Sequence, residues 1–455
     1  MVDILSWIAC AGSFFVTLYL IGSRGLLEGG RPAWLIVLLI VPSWMHLPVN
    51  VIHVDSRSLC VLAILIGFLR QPYNTTRPNR WYGSDFCILA IVVAMTISQF
   101  AARSVAPLAP FDPFREMAFP YVIGRLFLQT ARDIESILPV VCRCIMFLAA
   151  YALFEAVTKI NPIEIPFGRT WGKGSEELDS VRWGLKRSYG LQTHPIYFGL
   201  TFAMMLPWAI EAAMQAWQGK GPRWWQLVPA AALVGVVCTG SRAAQVCSIL
   251  VIATMIFHAV PRLRPAALLL VALGGIFIYV ARDEIIQVLA NYVNEGKSNE
   301  TMVKINGIDY EYSGTKHRDL LDIVYADAID QAGWLGFGNM LIRMPRDETM
   351  DERFFSIDNH WLLFYLHYGY LGLAVFILFS VCVMWNFLPP FLGKTGPTGR
   401  IAAGLLGAVG GCLMAMRSVW FAPDYACVWL FCAGLSVSLS RLYAESRTSG
   451  ATNLV

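Results

Sequence analysis

The chain has 455 residues, 56% hydrophobic and only 15% charged, with a formal net charge of +4 and a mean hydropathy of +0.55. A soluble domain keeps about a quarter of its residues charged, so a water-soluble enzyme carrying a single membrane anchor is excluded. The near-neutral balance, without Lys/Arg blocks interleaved with aromatics, argues against a nucleic-acid partner.

Apolar stretches long enough to cross a hydrocarbon core of about 30 Å recur from end to end. The first, from Ile4 to Ile21, lacks a basic leader and a small-residue cleavage site and reads as a retained span. Candidate spans lie at 3–22, 33–53, 57–70, 84–103, 116–131, 136–158, 194–214, 226–241, 243–258, 265–281, 359–386, 400–418 and 424–440. At roughly 20 residues per crossing this predicts an all-α polytopic membrane protein of about twelve or thirteen helices. Pro42 and Pro48 interrupt the second stretch and Arg115 and Arg125 mark the fifth, so each is a span or a re-entrant or interfacial segment. The organisation is then transmembrane helices over 1–158, a loop at 159–193, helices over 194–281, a long loop at 282–358, helices over 359–440 and a tail at 441–455.

Lys and Arg in short connections stay on the cytoplasmic side. From residue 194 onward the basic connections, at Lys220 and Arg223, Arg262 and Arg264, Lys394 to Arg400, and Arg441 and Arg447, alternate with the others without exception. This turns 159–193 and the acid-rich loop 282–358 outward and leaves the tail in the cytoplasm. Within the long loop, residues 317–331 set Leu320, Leu321, Val324, Ala328 and Ile329 against a carboxylate-rich face, predicting one amphipathic helix on the membrane surface or over a cavity. The stretch GWLGFG at 333–338 reads as turn. All eleven cysteines lie in apolar stretches without a CxxC pair and read as buried thiols.

The same orientation sets four arginines at the outer face: Arg187, Arg242 in TGSRAA, Arg318 at the start of the loop helix, and Arg417 before Trp420 and Asp424. Snorkelling to the interface or contact with lipid headgroups is the plain account of each. Together they imply an anion, because the positive-inside tendency disfavours all four places and a planar guanidinium fork suits phosphate oxygens. At the entry to the span after the long loop stand Asp358, Asn359 and His360. Asp358 is a candidate N-cap, and either Asp358 or His360 is a candidate base toward an acceptor hydroxyl. His367 is seven residues on, on the same helical face as His360. His194 is a further candidate at that level, against a plain helix-terminal role; His46 and His53 are weaker ones. No zinc spacing, Walker loop, GxSxG or DxD signature occurs, so no metal and no cofactor is expected, and the aspartates of 319–330 read as a solvated face.

Four segments, in order, resemble the O-antigen ligase and polymerase superfamily of bacterial envelope glycosyltransferases: RSYGLQTHPIYFG (187–199), TGSRAA (239–244), SGTKHRDLLDIVYADAIDQAGWLGFG (313–338) and DNHWLLFYLHYGYLG (358–372). The likeness covers roughly 185–440. It implies a GT-C-like bundle in the bacterial inner membrane and a donor saccharide on undecaprenyl diphosphate. The diphosphate would sit among Arg187, Arg242, Arg318 and Arg417, with Asp358 or His360 as base and His194, Asn359 and His367 as further substrate contacts. Because the donor is already activated, neither nucleotide sugar nor metal is implied. Asp358 stands where ligases of the family carry a histidine, which tilts the expectation toward the polymerase branch, with membrane lipids and other polysaccharide assembly proteins as further partners. The alternatives are a ligase acting on lipid A core, a lipid-linked glycan transporter, which calls for broken helices and charges at the midplane, and a structural partner of other assembly proteins.

Overall fold

The computed structural model describes residues 2–47, 54–70, 80–102, 111–167, 180–262, 301–338 apart from 306 and 313–315, 344, 354, 356–393 and 396–448. In chain order the helices used below are α1 (Val2–Arg24), α2 (Leu26–Ile40), α3 (Ser56–Arg70), α4 (Gly83–Ala101), α5 (Phe119–Phe127), α6 (Ala131–Thr158), α7 (Pro195–Trp217), α8 (Val228–Cys238), α9 (Arg242–Ala259), α10 (Lys316–Val324), α11 (Ala326–Ala332), α12 (His360–Leu392), α13 (Pro397–Ala415) and α14 (Pro423–Thr448). Among the described residues eight of them (α1, α4, α6, α7, α9, α12, α13 and α14) are long and apolar enough to cross a membrane. The chain is a multi-pass membrane protein. Three two-stranded antiparallel hairpins complete the description: β1 (His46–Leu47) with β2 (Val54–Asp55), β3 (Val181–Arg182) with β4 (Leu185–Lys186), and β5 (Thr301–Ile305) with β6 (Ile308–Tyr312).

Several expected boundaries shift for identifiable reasons. The stretch expected at 33–53 begins earlier, as α2, and ends at Ile40. Pro42 cannot continue the helix, and the chain turns there, Met45 N bonding to Pro42 O, before entering β1. The fifth stretch opens as a π-helical turn at Phe114–Ala118 and only then becomes α5. Its arginines are matched by acids: Arg115 by Asp55, Asp112 and Glu116, and Arg125 by Asp85 at 2.6 Å. The single loop helix expected at 317–331 is two, α10 and α11, meeting at Tyr325, whose hydroxyl leaves the helix face to donate to Phe354 O at 2.6 Å. The span expected at 265–281, the remainder of the long loop, His53 and the tail beyond Thr448 lie outside the described residues.

One end of the bundle gathers the starts of α3, α7, α12 and α14 with the ends of α2, α8 and α13. Arg57 Nη1 donates to Pro423 O at 2.8 Å, Thr193 N to Asp424 Oδ2 at 2.9 Å, and His360 N to Met416 O at 2.8 Å. This is the loop end. At the opposite end three arginines, one buried and two half-buried, are matched by carboxylates: Arg31 by Asp133 at 2.8 Å, Arg125 by Asp85, and Arg400 by Glu211 through two bonds of 2.7 and 2.9 Å.

Between the ends, helices approach through glycines, as expected where lipid supplies no hydrophobic force between them. On α13, Gly404 packs on Met255, Gly407 on Leu250 and Thr254, and Gly411 on Cys247. A Cβ at Gly411 would stand 2.8 Å from the Cys247 sulfur. These contacts set α9 and α13 antiparallel in a fixed register.

Candidate functional site

The site begins at the carbonyls that end α8. A helix C-terminus leaves its last carbonyls unsatisfied and partly negative. Here Ser188 N donates to Cys238 O at 2.9 Å, Arg187 Nε to Thr239 O at 3.1 Å, and Arg182 Nη1 to Gly240 O at 2.6 Å. Gly240 has φ 59°, and a side chain there would meet Arg187 Cγ at 3.1 Å and Arg182 Cδ at 3.3 Å. The turn therefore requires glycine twice over, for its left-handed backbone and for room. Ser241 then caps α9, its hydroxyl accepting from Ala244 N, and Arg242 follows as the first residue of α9, exposed.

The strand that presents Arg187 is held from behind by a carboxylate. Glu155, fully buried near the end of α6, accepts from Ser188 Oγ at 2.6 Å, Gly190 N at 2.9 Å and Asn161 Nδ2 at 3.1 Å. Nearby, Tyr189 donates to Glu164; burial first, and this bond second, raise its phenol pKa. Arg182, on β3, has its pKa lowered by burial and then by the guanidinium of Arg242, a like charge close by.

Arg417 joins them by register. The contacts that pair Gly407 with Leu250 and Gly411 with Cys247 carry the last turn of α13, extended by the bond from Arg417 N to Met414 O, up to the level of Ser241 and Arg242. Arg417 is exposed. Among the described residues no carboxylate lies within ion-pair distance of Arg182, Arg242 or Arg417. Among the described residues these three guanidinium groups at the loop end have no carboxylate partner, unlike Arg115 at the same end and the arginines of the opposite end. Arg318 is not drawn into it: half-buried on α10, it makes no hydrogen bond or ion pair with a described residue.

The entry to α12 departs from its expected geometry. Asn359, not Asp358, caps the helix, its Oδ1 accepting from Leu362 N at 3.3 Å. Asp358 precedes the cap, half-exposed, and accepts from Ser356 Oγ at 2.9 Å. His360 faces inward rather than toward a cavity: it is 5% exposed, its ring 5.1 to 5.4 Å from those of Phe421, Phe364 and Phe376, and its Nδ1 accepts from Phe421 N at 3.4 Å. Its backbone N–H, bonded to Met416 O, fastens the 358–360 segment to the residue beside Arg417. His367 lies half-buried on the same face. His194 takes the plain role, capping α7 by accepting from Ile196 N at 3.1 Å. His46 lies at the hairpin, Nδ1 on Trp44 O at 2.9 Å.

What positions the 358–368 segment is a break in α12. Gly369 has φ 64° and ψ −166°, a conformation essentially closed to other residues. Into the gap fits the 333–338 turn. Phe337 N and Gly338 N donate to Leu366 O and His367 O at 2.8 Å each, and Tyr370 N and Leu371 N donate to Gly333 O and Trp334 O at 3.1 and 3.2 Å. Ser98 of α4 donates to Leu335 O and His367 O. The turn thereby supplies the partners the broken helix lacks. A second hydrophobic cluster, including Leu321, Tyr325, Ala328, Phe354, Leu362 and Leu366, seals α10 and α11 onto the same short segment.

Sequence reasoning passed over Arg182, Glu155 and Asp424 as working residues. Asp424 is 1% exposed and ties Thr193 and Ser43 to the start of α14. A lone carboxylate inside an apolar run was the available signal for Glu155; Arg182 lies five residues before Arg187 on the same hairpin. No protein-family model matches the chain, and no curated protein matches it.

Proposed function

We propose that this chain is a membrane glycosyltransferase that polymerises undecaprenyl-diphosphate-linked saccharide repeat units, metal-independently, at the outer face of the bacterial inner membrane. In this reading the bundle is GT-C-like, with about twelve or thirteen crossings of roughly 20 residues and the long loop outside. The observation that carries it is the guanidinium array of Arg182, Arg242 and Arg417, without a carboxylate partner among the described residues, with Arg187 behind, one hydrogen bond away from the segment that bears Asp358. Unmatched cations held at a bilayer surface call for a lipid-borne anion, and a diphosphate is the anion a glycosyl donor would carry.

The chemistry follows from that placement. The diphosphate lies against Arg242 and Arg417, with Arg182 adding charge. An acceptor sugar hydroxyl attacks the anomeric carbon of the donor while Asp358, the more exposed of the two candidate bases, takes its proton. The new bond is oxygen to anomeric carbon. The bond that breaks joins the anomeric carbon to the diphosphate oxygen, which leaves with the electron pair. The arginines are already in place where that charge develops, which is the condition for electrostatic stabilisation of the transition state. His360 acts as a positioning residue, tying Asp358 to Met416 and Phe421.

The test uses purified full-length protein with a synthetic lipid-diphosphate-linked repeat unit and no added metal or nucleotide sugar. A ladder of longer lipid-linked chains, lost in Arg242→Ala, supports the reading. Transfer only when lipid A core is supplied moves the assignment to a ligase. No transfer to either acceptor, with the true repeat unit, overturns it in favour of a transporter.

A further inference from the structure

Among the described residues only two other than glycine have a left-handed backbone, Lys159 at φ 62° and Trp183 at φ 53°. Lys159 is explained by its place. It ends α6, its N–H bonded to Glu155 O at 2.9 Å, and a left-handed residue is a common helix stop. Trp183 has no such reason. With Gly184, φ 78°, it forms the two-residue turn between the paired residues Arg182 and Leu185 that joins β3 to β4. Positive φ at both central positions marks a type I′ hairpin turn, whose first place ordinarily belongs to Asn, Asp or Gly. A bulky side chain there is an outlier, and strain of this kind gathers at ligand sites.

No packing offsets that strain. The indole is 66% exposed and makes no ring contact or hydrogen bond with a described residue. The hairpin beneath it is fixed all the same. Arg187 N donates to Ser180 O at 3.0 Å, Lys186 Nζ to Lys159 O at 3.4 Å, and Arg182 Nη1 to Gly240 O at 2.6 Å. Trp183 is therefore presented by rigid neighbours that leave it uncovered. Its Cα lies about 3.8 Å from that of Arg182, whose guanidinium is close to that of Arg242.

An interfacial anchor needs no left-handed backbone, because any position in a surface loop can offer an indole to lipid headgroups. What this position adds is nearness to the arginines. In a lipid-diphosphate donor the first sugar is bonded directly to the diphosphate. An anion held by Arg182 and Arg242 thus sets that sugar beside the hairpin tip. The C–H face of a sugar ring, made slightly positive by its oxygens, suits the negative face of an indole, and the indole N–H adds a donor for a hydroxyl.

We propose that Trp183 is the platform on which the sugar nearest the donor diphosphate stacks, the hairpin tip holding the ring while Arg182 and Arg242 hold the phosphates. This rests on the polymerase reading above and adds to it a residue that recognises saccharide rather than lipid or phosphate.

Native mass spectrometry of the full chain in detergent micelles, titrated separately with undecaprenyl diphosphate and with the same lipid carrying a repeat unit, compares the two affinities. Trp183→Asn separates the ring from the turn, because Asn-Gly is the pair a type I′ turn favours: the strain is relieved and the indole removed. It is expected to raise the unfolding temperature, to weaken the saccharide-bearing lipid about tenfold and to leave undecaprenyl diphosphate unchanged. Trp183→Phe keeps a flat aromatic face and is expected to retain most of the affinity. Trp183→Gly also satisfies the turn and serves if the Asn variant fails to fold. Arg242→Ala is expected to weaken both lipids alike. Equal losses for the two lipids in a folded Trp183 variant overturn the proposal, since the ring then serves the bilayer or the hairpin; so does no loss for either. Both results leave the polymerase reading standing, whereas a wild-type protein that binds neither lipid overturns the two together.

Discussion

Replacing Gly369 by alanine tests the joint on which the placement of Asp358 depends. A methyl group there would overlap the Trp334 carbonyl and stand 2.5 Å from Leu335 N, at a backbone conformation of φ 64°, ψ −166°. Such a conformation costs a non-glycine residue of order 1–3 kcal/mol. Alanine therefore favours closing the break into continuous helix, which expels the 333–338 turn and its four backbone hydrogen bonds. At about 1 kcal/mol net for each bond, the linkage loses around 4 kcal/mol in all. The expected result is loss of hydrogen–deuterium exchange protection at the amides of Phe337, Gly338, Tyr370 and Leu371, with the remainder of the bundle still protected. Chain growth should fall with it. Gly184→Ala is the control: its φ is 78°, but nothing lies within 4 Å of a Cβ there, so only backbone strain of about 1–2 kcal/mol is expected. If Gly369→Ala keeps native protection across the turn, the account of the joint is wrong.

Arg400→Ala leaves Glu211, fully buried, without its partner and should cost about 3–5 kcal/mol; adding Glu211→Gln should restore much of it, read as unfolding temperature in detergent. Glu155→Leu strips acceptors from Ser188, Gly190 and Asn161, at about 1–3 kcal/mol for each donor left buried, and should release the 187–190 strand to proteolysis. Arg182→Ala removes one charge-assisted bond and should weaken donor binding about tenfold or more, appearing in KM. Asp358→Asn should lower kcat by about 10²–10⁴ with folding unchanged, whereas His360→Phe should lower kcat less and shift the exchange protection of Phe421; equal kcat losses without that shift would make His360 the base.

The helical, membrane-embedded character of the chain was legible in composition and run length, because lipid imposes a linear rule: about 20 apolar residues or none. Local chemistry was legible too. Pro42 does end a helix, and GWLGFG is a turn with Gly333, Gly336 and Gly338 all at positive φ. What sequence could not supply was pairing across distance. Nothing in the one-dimensional pattern tells Arg115, neutralised by three acids from 60 residues away to its immediate neighbour, from Arg417, which has none among the described residues. Nor does a seven-residue spacing reveal that His360 turns into an aromatic core while Asp358 stays at the surface. The register of Gly407 and Gly411 on α9, not any motif, raises Arg417 to the level of Arg242, and the insertion of one turn into the break at Gly369 decides where α12 presents its acid. Periodicity specifies which residues an element buries; which partner it buries them against, and hence which charges remain unmatched, is settled only when the helices pack.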